Sequence, residues 1–365
     1  MSQVDRTPMH TDRSPSVNGG GGAIVGLASG RREKTSGASR RPGPIISLAL
    51  QGGGSFGAFT WGFLDRLLEE EELAIDVVSG ASAGALNAVL LADGLAAGGH
   101  AGARQKLARF WERLARSSPH LPSGPGQPAG AAALFELSTR LASPYQLNPL
   151  GLNPMRGMLI DEVDFQRLRT ESPIRLLIAA TRVRDGRLRL FRENEVTVEA
   201  VLASACLPFL HHAIEIDGEA YWDGGYSANP PLRQLVIDSE AKDVILVQLM
   251  PEEHGEVPHL SPDISRRMQE IAFTTSLRKE LEALDDLREV CRQSLTISPI
   301  CRKLRDLRFH RVVASDVVEG LDHESALDTR WSLISRLKEH GRMAGEEWLA
   351  KNPPRKSRHA SRALS

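Results

Sequence analysis

Residues 45–57 read IISLALQGGGSFG, and residues 75–84 read IDVVSGASAG. In each segment an apolar run ends in a turn of small residues, and a stretch with helical spacing of apolar residues follows. A strand that passes through a tight turn into a helix is the repeating unit of a parallel sheet covered by helices. The two segments therefore predict an α/β fold: a three-layer sandwich with helices on both faces of a mainly parallel central sheet.

The second turn, Gly80-Ala81-Ser82-Ala83-Gly84, has the GxSxG spacing of a nucleophile elbow. In such an elbow a sharp strand-to-helix turn projects the serine hydroxyl away from the backbone, and the flanking residues must be small because the turn is crowded. The helix that we predict after it would direct its free N–H groups at Ser82, which favours a developing negative charge. Small-residue turns are common, so the spacing alone is a modest indication of a serine nucleophile.

The first turn, Gly52-Gly53-Gly54, permits two interpretations. Successive glycines let backbone N–H groups line a concavity, and such groups can hold the oxyanion of a tetrahedral intermediate. Gly52, Gly54 and Gly57 also satisfy the GxGxxG fingerprint of a dinucleotide site, which would lie between a strand and a helix as here. Two small-residue turns in consecutive strand–helix units favour the first interpretation, and the second stays open at this point.

Charge and composition divide the 365-residue chain into three parts. Residues 1–43 are rich in Gly, Ser, Arg and Pro and carry a net charge of +4, so they are predicted to be a disordered basic tail. Residues 44–350 carry −10 and contain the apolar runs of a folded domain, whereas residues 351–365 form a second basic tail with +5. Within the domain we expect a mobile insert or cap at about 118–158 and a helical part over 251–350.

Several functional classes are disfavoured by the same composition. No run of 18 apolar residues is present, so no transmembrane helix is predicted, and residues 1–43 lack the apolar core of a secretory signal. The acidic domain argues against a nucleic-acid partner. The three cysteines have no metal-ligand spacing or disulfide pattern, which indicates a reducing compartment and a cytoplasmic location. The basic tails are expected to allow peripheral contact with anionic lipid at the inner membrane surface.

An aspartate at the end of a predicted hairpin is the third candidate group. Asp223 is followed by Gly224 and Gly225, which would leave its carboxylate accessible as a general base, although Asp-Gly is also a common turn sequence. His211 and His212 precede this hairpin and could line a pocket, but neither has the context of a third triad member. A two-residue site in which Asp223 takes the proton of Ser82 is the alternative.

Taken together, these segments resemble the patatin-like phospholipase family. The resemblance covers about residues 45–250 and rests on Gly52–Gly57, Gly80–Gly84 and Asp223–Gly225, in that order. Ala203–Pro208 and Asn229–Pro231 are also similar to the family. It implies a lipid acyl hydrolase domain over 44–350 with a Ser82–Asp223 dyad and no histidine.

The resemblance further implies an oxyanion hole at Gly52, Gly53 and Gly54, with neither metal nor cofactor, and Gly57, Gly80, Gly84, Gly224 and Gly225 as supporting residues. The substrate would be a lipid or another acyl ester. An unperturbed aspartate is a weak base at neutral pH, so this mechanism needs a buried carboxylate. Two other functions remain: a lipid-binding or regulatory protein that keeps the fold without turnover, and a dinucleotide-dependent oxidoreductase, which would leave Ser82 and Asp223 without roles.

Overall fold

The computed structural model describes residues 44–117, 142–250, 257–293, 298–314, 318 and 326–353. The predicted N-terminal tail, residues 118–141 of the predicted insert and nearly all of the basic C-terminal tail lie outside the described residues. No helix in the described part of the chain has both the length and the hydropathy to cross a bilayer.

The centre of the molecule is one eight-stranded sheet with the strand order β5-β6-β3-β2-β1-β7-β8, in which β4 also pairs with β3. The strands are β1 (Ile45–Leu50), β2 (Ala74–Gly80), β3 (Arg175–Arg182), β4 (Leu188–Arg192), β5 (Ile214–Ile216), β6 (Glu219–Asp223), β7 (Asp243–Gln248) and β8 (Arg308–Val313). Pairing is parallel from β3 through β2, β1 and β7 to β8, and antiparallel where β4, β5 and β6 join. The mainly parallel sheet predicted from the sequence is confirmed.

Helices cover this sheet. They are α1 (Gly57–Leu67), α2 (Ala83–Ser117), α3 (Pro144–Leu147), α4 (Pro154–Glu162), α5 (Phe165–Glu171), α6 (Val198–Ser204), α7 (Leu232–Asp238), α8 (Ser261–Gln293), α9 (Pro299–Asp306) and α10 (Trp331–Lys351). Short 3-10 turns at Gly54–Phe56 and Gly224–Tyr226 follow β1 and β6. The elements alternate between strand and helix over most of the chain, as an α/β fold requires.

The burial pattern explains the three layers. Successive residues of a strand point to opposite faces, and residues 46–50 of β1 are all buried, as expected for a central parallel strand. Leu48 belongs to the apolar cluster that includes the core residues of α1, α2 and α10. Ala49, its neighbour, belongs to a second cluster with residues of α7, α8 and α9. Helices therefore pack on both faces of the sheet.

Several predicted boundaries were wrong. Helical spacing of apolar residues predicts a first helix over 56–72, whereas α1 ends at Leu67. The sequence also predicts two helices, at 83–95 and 104–117, and this is confirmed, because α2 consists of two helical parts separated by a kink where Gly98 and Gly99 leave helical geometry. Residues 144–158 show no apolar period, which predicts irregular structure, yet the segment contains α3 and the start of α4. The Asn153 side chain accepts the N–H of Met155 at 3.0 Å and caps α4, a local contact that apolar periodicity does not reveal.

Candidate active site

The two glycine-containing turns meet because β1 and β2 are parallel neighbours. Leu50 and Gly80 are paired at the carboxyl ends of these strands, so the residues that follow leave the sheet at the same edge. A Cβ atom added at Gly52 would lie 2.7 Å from both the Cβ of Ser82 and the carbonyl oxygen of Ala81. The approach of the first turn to Ser82 therefore requires glycine at position 52.

Ser82 has the backbone conformation of a nucleophile elbow. Its φ is 52°, in the left-handed region that non-glycine residues rarely adopt. The N–H of Ser82 donates to both the carbonyl oxygen and Oγ of Ser204, at 3.0 and 3.1 Å, and its carbonyl accepts the N–H of Leu86 in the first turn of α2. These contacts hold the serine in a strained turn and leave its side chain partly exposed.

The elbow is also pressed against β1. A Cβ atom at Gly84 would overlap the backbone carbonyl of Leu50, and one at Gly80 would overlap the backbone of Gly84. At Gly57 it would lie 2.7 Å from the Cβ of Ala83, where the first turn meets the start of α2. The small residues of both motifs are thus explained by close backbone packing.

Asp223 reaches this edge through the pairing of β6 with β3. Ile178 of β3 pairs with Gly80, the last residue of β2, and Ala180 pairs with Asp223, the last residue of β6. Both Ile178 and Ala180 also pair with β4, which occupies one edge of β3. β2 and β6 therefore share the other edge of β3, and β6 begins to pair where the pairing with β2 ends. Asp223 consequently lies just beyond the end of β2, where the chain turns into Ser82.

The Asp223 carboxyl group is fully buried, with an exposed fraction of 0 %. Its Oδ1 accepts the N–H of Gly225 at 2.7 Å, whereas Oδ2 has no hydrogen bond of normal geometry within the described residues. Burial raises the pKa of Asp223 from 3.8 to about 7, because the charged form loses its hydration. The Gly225 N–H and the nearby Ser82 hydroxyl oppose this increase by favouring the carboxylate, without cancelling it.

Neighbouring residues fix the position of Asp223. Its N–H donates to the carbonyl oxygen of Cys206 at 2.8 Å, and its carbonyl oxygen accepts the hydroxyl of Thr181 at 2.7 Å. Burial raises the pKa of the Cys206 thiol to about 12, with a smaller contribution from Asp223, and the pKa of Tyr226 to about 12 for the same reasons. Both groups therefore remain neutral beside Asp223 at physiological pH.

The first glycine turn is held by side chains from two other segments. Oε1 of Gln51 accepts the N–H groups of Leu249 and Met250 at 2.7 and 2.9 Å, which attaches the start of the turn to the segment after β7. Oδ1 of Asn229 accepts the N–H of Gly52 at 2.7 Å. In the described part of the chain, no hydrogen-bond acceptor is assigned to the N–H groups at positions 53 and 54.

The two candidate histidines lie elsewhere. The ring of His212 stacks on Tyr145 with 4.1 Å between centroids, and its Nε2 is 3.2 Å from the carbonyl oxygen of Pro144. Burial, together with His212, lowers the pKa of His211. Within the described residues neither histidine hydrogen-bonds to Ser82 or Asp223. The structure thus brings together Ser82, Asp223 and the glycine turn, and places His212 against the segment 144–151.

Four contacting residues were not identified from the sequence as parts of the site: Gln51, Thr181, Ser204 and Asn229. Ser204 and Asn229 lie in segments that are similar to the family, so that similarity could have indicated them. Gln51 follows β1 and Thr181 is the next-to-last residue of β3, and nothing in the local pattern distinguishes them. The described residues contain no cluster of three or more His, Cys, Asp or Glu side chains placed to hold a metal ion.

The model of the patatin-like phospholipase family matches residues 48–236. The comparison with curated proteins gives no match. Among solved structures, VipD from Legionella pneumophila is 15 % identical with a TM-score of 0.42, over 85 % of this chain and 67 % of that chain.

A second similar structure is the heterodimeric ExoU–SpcU complex from the type III secretion system of Pseudomonas aeruginosa. It is 19 % identical with a TM-score of 0.38, over 84 % of this chain and 52 % of that chain. A crystal structure of the type III effector ExoU is 17 % identical with a TM-score of 0.33, and this chain spans 53 % of its length. The family match covers more than half of the chain and the three motifs meet at one edge of the sheet; the chain belongs to the patatin-like phospholipase family.

Proposed function

We propose that this protein hydrolyses carboxylic esters of lipids with Ser82 as the nucleophile and Asp223 as the general base. Family membership indicates a lipid acyl hydrolase of the patatin type. The assignment of the individual steps is supported by one observation: Asp223 is buried beside Ser82 with a pKa of about 7 and an unpaired Oδ2. A general base works best when its pKa is near the working pH.

In the first half of the reaction Oγ of Ser82 attacks the ester carbonyl carbon, and its proton moves to Oδ2 of Asp223. The resulting tetrahedral intermediate carries its negative charge on the former carbonyl oxygen. When that intermediate collapses, the bond to the alcohol breaks and Asp223 returns the proton to the leaving oxygen. The products of this half are a free alcohol and an acyl group on Ser82.

In the second half Asp223 removes a proton from water, which attacks the acyl carbonyl. The bond to Oγ of Ser82 breaks, the serine regains its proton from Asp223, and the carboxylic acid leaves. The same carboxyl group thus acts as base and then as acid in each half. No further co-reactant is needed, because water supplies both the hydroxyl and the proton.

The oxyanion hole is assigned to the N–H groups of Gly53 and Gly54. The N–H of Gly52 is occupied by Asn229, so Gly52 contributes mainly by allowing the turn to approach Ser82. Removal of one oxyanion donor costs about 3–4 kcal/mol of transition-state stabilisation in serine hydrolases. The first turn of α2, directed at Ser82, adds a favourable dipole.

The test is labelling with a fluorophosphonate, which phosphonylates an activated serine. We expect the wild type to be labelled, Ser82→Ala not to be labelled, and Asp223→Asn to be labelled at least 100-fold more slowly. Asp217→Asn is the matched control, since Asp217 is an exposed turn residue with φ 51° on the same hairpin, and asparagine tolerates that conformation. Labelling that persists in Ser82→Ala, or a folded wild type that is neither labelled nor hydrolyses lipid esters, would contradict the proposal.

A further inference from the structure

The side chain of Asn229 connects three parts of the site. It is fully buried, with an exposed fraction of 0 %, and follows Asp223 by six residues. Its Oδ1 accepts the N–H of Gly52 at 2.7 Å, and its Nδ2 donates to the carbonyl oxygen of Phe273 in α8 at 3.2 Å. Nδ2 also lies 3.5 Å from the carbonyl oxygen of Gly52. Both ends of one amide therefore contact the same glycine residue, and the donor end is also attached to α8.

The bond to Gly52 determines the direction of the glycine turn. Glycine has more backbone freedom than any other residue, so three in succession would sample many conformations. With the Gly52 N–H directed at Asn229, the next two N–H groups are left without an internal acceptor in the described part of the chain. The turn is also restrained at its other end, where a Cβ atom at Gly54 would overlap the carbonyl oxygen of Ala326 and φ is 57°.

The same side chain relates the turn to the general base. Phe273, whose carbonyl accepts from Asn229, packs its ring against Gly225 so closely that a Cβ atom there would overlap it. Gly225 in turn donates to Oδ1 of Asp223 at 2.7 Å. Asn229 thus lies between the oxyanion donors and the residues that orient the base. Misplacement of reacting groups by about 1 Å can reduce a rate about 100-fold.

From these contacts, and resting on the proposed function, we infer that Asn229 is a positioning residue that holds the Gly53 and Gly54 N–H groups in the orientation of an oxyanion hole. Its amide group is bonded to the Gly52 N–H and to the carbonyl oxygen of Phe273. Its effect on the reaction passes through the Gly52 peptide.

The test compares an ester with the matching thionoester, in which the carbonyl oxygen is replaced by sulfur. Sulfur is a weak hydrogen-bond acceptor, so the thionoester gains little from oxyanion donors. For Asn229→Ala we expect kcat for the ester to fall about 30- to 100-fold, KM to change less than about threefold, and kcat for the thionoester to change much less. Asn229→Ser is the second variant. Its side chain leaves a smaller cavity than alanine does and cannot reach Gly52, so we expect the same changes in kcat and KM as for Asn229→Ala.

Ser47→Ala is the control for general destabilisation. Ser47 is fully buried in β1, and its Oγ is hydrogen-bonded to Oγ of Ser239 at 2.8 Å, so the variant also loses a buried polar contact. Ser47 makes no contact with the glycine turn among the described residues. The inference requires the ester-to-thionoester ratio of kcat to fall in the Asn229 variants and to stay unchanged in Ser47→Ala. An equal loss on both substrates, or no loss, overturns it.

A second measurement does not depend on turnover. In the inactive Ser82→Ala background, amide hydrogen exchange of Gly52 should be at least tenfold faster when Asn229 is replaced by alanine, and unaffected by Ser47→Ala. Unchanged exchange at Gly52 refutes the positioning role even in a protein without detectable activity. Absence of both labelling and hydrolysis in the wild type counts against the proposed function instead, and the exchange result still decides the role of Asn229.

Discussion

Replacing Asp223 by asparagine should make the protein more stable at pH 8 while removing the activity proposed for it. Asp223 is fully buried, and burial raises the pKa of its carboxyl group to about 7. At pH 8 the folded protein therefore contains a buried carboxylate that lacks most of its hydration. Asparagine has the same shape, carries no charge, and keeps an oxygen for the hydrogen bond from Gly225.

The magnitude follows from the pKa. An increase from 3.8 to about 7 corresponds to an upper limit of about 4 kcal/mol, at about 1.4 kcal/mol per pKa unit. Because the pKa of the folded state is the higher one, the neutral carboxyl group stabilises the protein fully below pH 3.8. That contribution is lost as the pH rises through the folded pKa near 7. The advantage of Asp223→Asn should therefore grow between about pH 4 and pH 7 and stay constant above.

Urea unfolding followed by tryptophan fluorescence measures this difference. The free energy of unfolding of Asp223→Asn minus that of the wild type should be about 2–3 kcal/mol larger at pH 8 than at pH 5, which means that the variant is relatively more stable at pH 8. Asp185→Asn is the control, since Arg182 lowers the pKa of Asp185 below 3.8; the resulting stabilisation of the wild type is lost only in more acidic solution, so the stability difference for this variant should not vary between pH 5 and pH 8. A stability difference for Asp223→Asn that does not vary between pH 5 and pH 8 would refute the reasoning.

Three further outcomes are expected. The value of kcat/KM should rise about tenfold from pH 6 to pH 8 as Asp223 loses its proton, and a flat profile would show that another group limits the reaction. In urea unfolding Ser82→Gly should be about 1 kcal/mol more stable than Ser82→Ala, because glycine adopts the φ of 52° at position 82 without strain. Equal stability of the two variants would mean that the turn is not strained. Gly84→Ala should lower the free energy of unfolding by about 3 kcal/mol or more, because the added methyl group would overlap the Leu50 carbonyl. Gly157→Ala lies on an exposed helix surface with open space and should raise the free energy of unfolding by about 0.5–1 kcal/mol. Similar effects of the two substitutions would contradict the close packing of the elbow.

Local sequence patterns were sufficient for the strand–helix units that build the sheet. β1, β2, β3 and β7 are short apolar runs between turn residues, and such runs predict buried parallel strands. The Asp-Gly pairs at 185–186 and 217–218 predict the hairpins β3–β4 and β5–β6, which the structure contains. Helix ends were predicted less well, since a cap such as Asn153 is a single side-chain contact that periodicity does not reveal. The helices α5, α7 and α9 were not predicted, because none of these three short segments has a clear apolar stripe.

The sequence by itself established which groups are available for chemistry. The small residues around Ser82 and the glycines after β1 and after Asp223 are needed because backbones approach closely at those points, and such a requirement is visible in the residue types. The order of the motifs was sufficient for the family, which the family match confirms.

Only the tertiary structure decided how these groups meet. Asp223 follows Ser82 by 141 residues in the sequence. It lies beside the elbow because β2 and β6 pair with successive residues along the same edge of β3. The burial that raises its pKa, and the bond from Gly52 to Asn229, arise from the same long-range packing. Strand register and burial depend on contacts between distant segments, whereas periodicity and turn composition report only on near neighbours. For that physical reason the candidate groups were readable from the sequence, but their geometry was not.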